Sequence, residues 1–303
     1  MDIEVFAEAI RDSVKERLGK DYQVTLCKIN KNNGVAYIGL NIKKDGQNVT
    51  PIVYLNEHFH QYKNGNAKIS QIADYLVRSV RTENLNVDIN KFLNYESVRK
   101  NVVYRVINTE RNRELLEDLP HIEYLDLSIV FRVLVSQEYL GVASILIHNA
   151  HMKLWDVTVE DLNKDAEENT QKLERYELKS MKNVLCEIME TEDPDGYGHD
   201  ECREQFSEDI PMYVLSNKRR IEGASCMLYP DVIKNFSDAV DRDLYIIPSS
   251  IHELLLLPTR NTDDGGEIKK MIKDINDTQV EPEEVLSYSL YYYNRKEDKI
   301  SML

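Results

Sequence analysis

The sequence predicts an α+β protein with mixed, largely antiparallel sheets, flanking helices and two lobes. Three observations predict it. Short apolar runs arrive mostly in pairs separated by turn residues, as at Tyr22–Ile29 and Gly34–Ile42 around Asn30-Lys-Asn-Asn-Gly34, and strands joined so tightly lie antiparallel. Strands alternate with helices only in places, whereas a doubly wound parallel sheet needs a crossover after every strand. Residues 187–209 hold ten acids and one Arg around Asp193-Pro-Asp-Gly196. Such a stretch has little apolar surface to order it and marks an exposed linker. The expected organisation is an N-terminal lobe over 1–186, a linker over 187–209 and a C-terminal ββαββαβ lobe over 210–303.

Ile3, Phe6, Ile10, Val14 and Leu18 recur at helical spacing, which predicts an amphipathic helix over 2–19. After the hairpin, Pro51–Leu55 predicts a strand running into a short helix, and Ile69, Ile72, Leu76, Val77 and Val80 a further helix over 67–82. Glu96–Leu119 reads as mostly helical, stopped by Pro120. Leu125–Val135 and Ala143–His148 read as strands, and Thr158-Val-Glu-Asp161 as a capping box in which the Thr hydroxyl takes an orphan N–H. Leu178, Met181, Leu185 and Ile188 mark another helix. Past the acidic stretch, the pattern predicts strands at Met212–Ser216 and Gly223–Leu228, then a helix over Asp231–Val240. Leu244–Ile247 and Leu254–Leu257 lack polar alternation and are bounded by Pro248 and Pro258, the pattern of strands buried on both faces. Asp264 and Glu267 are spaced to open a helix, and Ser287–Asn294 reads as a last strand.

At 303 residues the chain exceeds one typical domain. Its net charge of −15 is unevenly placed. Residues 1–110 hold 16 Lys/Arg against 13 Asp/Glu, and residues 111–303 hold 22 against 40. An acidic surface repels phosphate backbones, so no nucleic acid is expected as a partner; the sharper reading is a face that docks a basic protein. No apolar run reaches the ~18 residues of a membrane span, and the start, Met1-Asp-Ile-Glu4, has no basic and apolar leader. A cytoplasmic location is therefore expected, with Cys27, Cys186, Cys202 and Cys226 reduced.

Two short segments carry the candidate binding residues. His148, Asn149 and His151 lie at a strand-to-helix corner, with Trp155 beyond. If Asn149 caps the helix, its positive end favours a neutral His151, able to act as base or ligand. Ser249, Ser250, His252 and Glu253 lie between the two apolar runs. They are the residue types of a nucleophile, a base and an orienting carboxylate, but no Gly-x-Ser-x-Gly elbow surrounds either serine. Cys186, His199 and Cys202 lack a fourth ligand, so no metal is expected. No Walker loop or Gly-x-Gly-x-x-Gly occurs, and no cofactor is expected. The favoured reading is a binding or adaptor protein with an acidic docking surface. The alternative is a hydrolase-like enzyme in which His148 or His151 meets His252 from a distant segment.

Several segments together resemble a known family. They are Glu114-Leu-Leu-Glu-Asp-Leu-Pro-His121, Leu125-Asp-Leu-Ser-Ile-Val130, Ile145-Leu-Ile-His-Asn149, Pro211-Met-Tyr-Val-Leu-Ser-Asn217, Leu244-Tyr-Ile-Ile-Pro-Ser-Ser-Ile-His-Glu253 and Glu281-Pro-Glu-Glu-Val-Leu286. On these the chain resembles domain of unknown function 5688, a family of clostridial and other gut Firmicutes, over nearly its whole length. The resemblance implies a bacterial cytosolic protein and carries no activity, cofactor or catalytic residue.

Overall fold

The computed structural model describes residues 1–46, 52–82, 89–137, 141–192, 212–260 and 265–303. The chain forms two compact units, Met1–Asn94 and Tyr95–Leu303.

In the first unit, helix α1 (Ile3–Leu18) starts where the Asp2 carboxylate accepts the Val5 N–H and stops at Gly19, whose φ of 82° suits a residue without Cβ. Phe6, Ala7, Ile10, Val14 and Leu18 form its buried stripe. Strands β1 (Tyr22–Asn30) and β2 (Ala36–Lys44) pair antiparallel as expected, Tyr22 opposite Lys44 and Asn30 opposite Ala36. β3 (Ile52–Tyr54) adds to β2, and α2 (Asn56–Lys63) and α3 (Ile69–Thr82) follow, with short α4 (Ile89–Phe92). The α1 stripe packs with Val24, Leu40 and Ile42 of the sheet and with Ile72, Ala73, Leu76 and Val77 of α3 in one apolar core.

The second unit starts with α5 (Tyr95–Val98) and β4 (Val102–Asn108). Here the expected helix over 96–119 is corrected. Val102-Val-Tyr-Arg-Val-Ile is β-branched and aromatic, and such residues favour the pleated surface of a sheet over a helix. After α6 (Arg113–Leu116) come β5 (His121–Tyr124), β6 (Leu127–Gln137) and β7 (Gly141–Leu146). The long β6 pairs with β4 along Leu127–Val133, with β5 along Leu127–Val130 and with β7 along Arg132–Gln137, all antiparallel.

Next come α7 (Asn149–Trp155), α8 (Val159–Leu173), β8 (Tyr176–Ser180), α9 (Met181–Glu192) and β9 (Tyr213–Asn217). The Thr158–Asp161 capping box forms as expected, with the Asp161 carboxylate accepting from the Thr158 N–H at 3.0 Å. A 3₁₀ turn over Gly223–Leu228 replaces the strand expected there. Then follow α10 (Val232–Val240), β10 (Leu244–Ile247), β11 (Glu253–Pro258), α11 (Gly265–Thr278), β12 (Tyr291–Asn294) and β13 (Lys299–Met302). These make a six-stranded antiparallel sheet of order β13-β12-β10-β11-β9-β8. The fold class is α+β, as the sequence predicts.

β8 precedes the acidic segment and β9 follows it, and the two pair directly. The expected linker over 187–209 begins inside α9; residues 193–211, and Asp264 of the expected cap, lie outside the described residues. The expectation of two-faced burial for β10 and β11 needs adjustment. Leu254 and Leu256 are fully buried, but β11 alternates and Leu255 is half-buried, packed with Ile247, Ile272 and Leu290 beneath α11. Cys186 is disulfide-bonded, against the expectation of reduced thiols, while Cys27 and Cys226 are free. Sequence spacing alone carries no information on which sulfurs meet in space.

Candidate functional site

His148 sits where β7 delivers the chain into α7, with extended φ and ψ, and it, not Asn149, is the N-cap. Its N–H donates to His151 Nδ1 at 3.0 Å, so His151 satisfies an orphan donor of the helix end. Asn149 instead stitches the corner to the preceding loop: its N–H donates to Asp118 O at 2.9 Å and its amide to Glu117 O at 3.2 Å. His148 Nδ1 pairs with Asp118 Oδ2 at 2.8 Å on the surface. The His151 ring stacks on Trp155, which in turn lies against Tyr95. Burial lowers the His151 pKa, helped by neighbouring His148 and opposed by Asp118. The direction agrees with the expected neutral imidazole, but desolvation leads.

The segment between β10 and β11 is a seam. Ile251 N–H donates to Glu284 O, Leu286 N–H to Ser249 O and Ala224 N–H to Ile251 O. Ser250 is buried, its Oγ accepts from the His252 N–H at 3.0 Å, and its side chain also bonds the Glu253 carboxyl. Burial pushes that carboxyl up. His252 Nδ1 accepts from the Glu222 N–H at 3.1 Å, which leaves Nε2 to face Glu284 Oε1 at 3.2 Å. Both ring nitrogens are thus engaged.

The structure brings His148 to His151, and Ser250 to His252 and Glu253. It keeps the two groups on different sheets, one at the end of β7 and the other between β10 and β11. Among the described residues no three His, Cys, Asp or Glu side chains gather as a metal site.

The residues missed by sequence reasoning lie beneath the seam. Val103 of β4 faces Arg132 of β6, and Arg105 lies two residues along, so both arginines project from one face of the four-stranded sheet. Arg132 Nη2 bridges Glu174 Oε1 at 2.8 Å and Glu222 Oε2 at 2.9 Å. Arg105 also pairs with Glu222, and Arg219 with Glu174. Arg132 and Glu174 are buried, at 5% and 2% exposure. Burial pushes the Glu222 carboxyl up, but Arg105 and Arg132 outweigh it and hold it below the ordinary carboxylate range. Burial pushes Glu174 up against the pull of Arg132 and Arg219.

The turn from Asn217 to Gly223 aims these groups. Asn217, itself buried, accepts from the Arg219 and Ile221 N–H groups and donates to Ile221 O. Arg220 and Glu222 are left-handed, with φ of 53° and 55°, strained for residues with a side chain. Gly223 has no room for one: a Cβ there would stand 2.2 Å from Ser216 Oγ and 2.5 Å from Asn217 N. The available signal was a lone Arg at the centre of each of two apolar strand runs, Val102–Asn108 and Ile129–Val135.

Hollows among the described residues lie elsewhere. A cleft of about 460 Å³ in the first unit runs between α1 and the β1–β2 hairpin, lined by Ala7, Leu26, Cys27, Lys28, Tyr37 and Asn56 among others. A polar groove of about 620 Å³ in the second unit is lined by Asp238, Asp241, Asp243, Thr259 and Arg295 among others, with Arg295 already paired to Asp238 at 2.7 Å and to Asp241. Among the described residues no helix is long and apolar enough to cross a membrane.

No curated protein and no solved structure matches the chain. The model of one family does, over residues 3–295 of 303. That span runs through both compact units and takes in both histidine segments and every residue of the arginine seam, so the chain belongs to the family of unknown function DUF5688.

Proposed function

We propose that this protein is a bacterial cytoplasmic binding or adaptor protein that docks a basic partner on an acidic face of its second unit. The observation that carries the reading is the solvent side of α8, where Glu160, Asp161, Glu167 and Glu168 are all exposed against Lys164 and Lys172. The charge of the whole unit supports it: residues 95–303 hold 42 Asp/Glu against 25 Lys/Arg. Carboxylates so arranged steer a basic surface and set its register more than they add raw affinity. The seam supports it from the other side, because Ser250, His252 and Glu253 are engaged in holding the chain together.

A second reading, the hydrolase-like enzyme, draws support from one pair. Asp118 orients the half-exposed His148 ring through Nδ1, the arrangement that prepares the opposite nitrogen as a base.

Capture of partners from the native host with the full chain, eluted by a salt step and identified by mass spectrometry, separates the readings. Docking on α8 predicts a basic protein released by salt and lost from a Glu160→Lys/Glu167→Lys variant. Partners indifferent to both, together with ester or amide hydrolysis abolished by His148→Ala, would replace docking with the second reading.

A further inference from the structure

We propose that the arginine seam of the second unit is a binding site for a small oxyanion, a carboxylate or a phosphate group. It is independent of the α8 face and stands or falls apart from it. Three guanidinium groups, on Arg105, Arg132 and Arg219, share two carboxylates, Glu174 and Glu222, in one connected network. Guanidinium stays protonated at any relevant pH, and His252, the next group along, has its Nδ1 occupied by a backbone N–H. Among these five groups the guanidiniums outnumber the carboxylates by one. An excess buried cation is costly unless paired, and water, which can accept an N–H, does not neutralise it.

The hydrogen bonds point the same way. The Nε atoms of Arg105, Arg132 and Arg219 are buried and make no hydrogen bond, and neither does Glu174 Oε2. A guanidinium Nε–H beside its neighbouring Nη2–H forms a fork that fits two oxygens of one carboxylate or phosphate; Arg105, paired through Nη1, keeps that fork open, Arg219 spends one Nη2 hydrogen on Glu174, and Arg132 spends both on Glu174 and Glu222. Access is graded. The side chains of Glu174 and Arg132 are 0% and 6% exposed, whereas those of Arg105 and Arg219 are 20% and 30% exposed. The network therefore has a partly exposed arginine at each end, Arg105 beyond Glu222 and Arg219 beyond Glu174, with Arg132 buried between them.

The local backbone fits a site built at a cost. Left-handed Arg220 and Glu222, together with a Gly223 that tolerates no Cβ, hold Arg219 and Glu222 in the network. Strain of this kind persists where the surroundings fix it, and it concentrates at binding sites. The anion would enter at a partly exposed end of the network, with Arg219 the more open of the two. Arg219 is thus the residue to change: it is the most exposed of the three, and its loss leaves both Arg132 bridges in place.

The test is isothermal titration of the full chain with inorganic phosphate and, separately, with succinate, at constant ionic strength against a chloride blank. Thermal melts across the same concentrations accompany it. The expected result is saturable one-to-one binding of at least one of the two, with a matching rise in Tm; which one binds identifies the ligand as phosphate-bearing or carboxylate-bearing. Arg219→Gln should weaken that binding by about tenfold or more, the loss of one charge-assisted pair. Arg113→Gln, altering an exposed arginine elsewhere, should leave it unchanged. No saturable binding of either anion up to roughly 10 mM, an affinity too weak for a built site, would overturn the proposal. So would an Arg219→Gln chain that folds and binds as wild type does.

Discussion

Glu222 occupies the most demanding position in the second unit. Its backbone is left-handed, its N–H is spent on His252 Nδ1, and its carboxylate bridges Arg105 and Arg132. His252 is accordingly a structural histidine, the acceptor that satisfies a strained N–H. His252→Ala should cost about 1–2 kcal/mol, the range for stranding a buried donor, as read by urea denaturation; a change within a few tenths would return the residue to the list of groups held free for chemistry. His151 makes a pH prediction. Its pKa in the fold lies below the 6.5 of a free histidine, so the folded state disfavours its protonation. The stability it contributes is complete above about pH 6.5 and is lost as pH falls through the folded value. His151→Gln keeps an acceptor at this capping position and should flatten that part of the stability curve. Equal slopes for variant and wild type between pH 7 and pH 5 would show that His151 contributes nothing to the pH dependence of stability.

At the scale of elements, legibility followed the range of the interaction. The α1 stripe, the β1–β2 hairpin and the Thr158 capping box are set by neighbours a few residues apart and were readable from spacing. β4 was missed because a β-branched run holding one Arg was merged into the helical pattern around it, and β13 because Lys299–Met302 is four residues long at a sheet edge. The predicted histidines and serines were placed on the right loops. The partners of His252, Glu222 and Glu284, come from segments about 30 residues away in either direction, and nothing local announces them. Strand pairing closes β8 on β9 across the acidic stretch, so both flanks of that stretch belong to the unit Tyr95–Leu303, again a long-range fact. The β11 alternation sharpens one expectation. Leu256→Asp should cost several kcal/mol by stranding a carboxylate in a fully buried place. Leu255→Asp, half-buried under α11, should cost distinctly less. Thermal melts of the two side by side decide it, and an equal loss would show that the second face is sealed as tightly as the first.

Over the whole molecule, charge is sorted by unit. The first holds 13 Lys/Arg against 11 Asp/Glu, and the excess acid lies in the second. Within that acidic unit Arg105, Arg132 and Arg219, through Glu174 and Glu222, join strands of the four-stranded sheet to the turn that follows β9 of the six-stranded one. This ionic network, with the His252 loop serving it, holds the two sheets of the second unit together. A double-mutant cycle on the full chain, with Arg105→Gln, Glu222→Gln and the pair followed by urea denaturation, tests it most directly. The network predicts a coupling of about 1.5–3 kcal/mol, as for buried partners in one connected set. A coupling below about 0.5 kcal/mol, the additivity of independent sites, would contradict it.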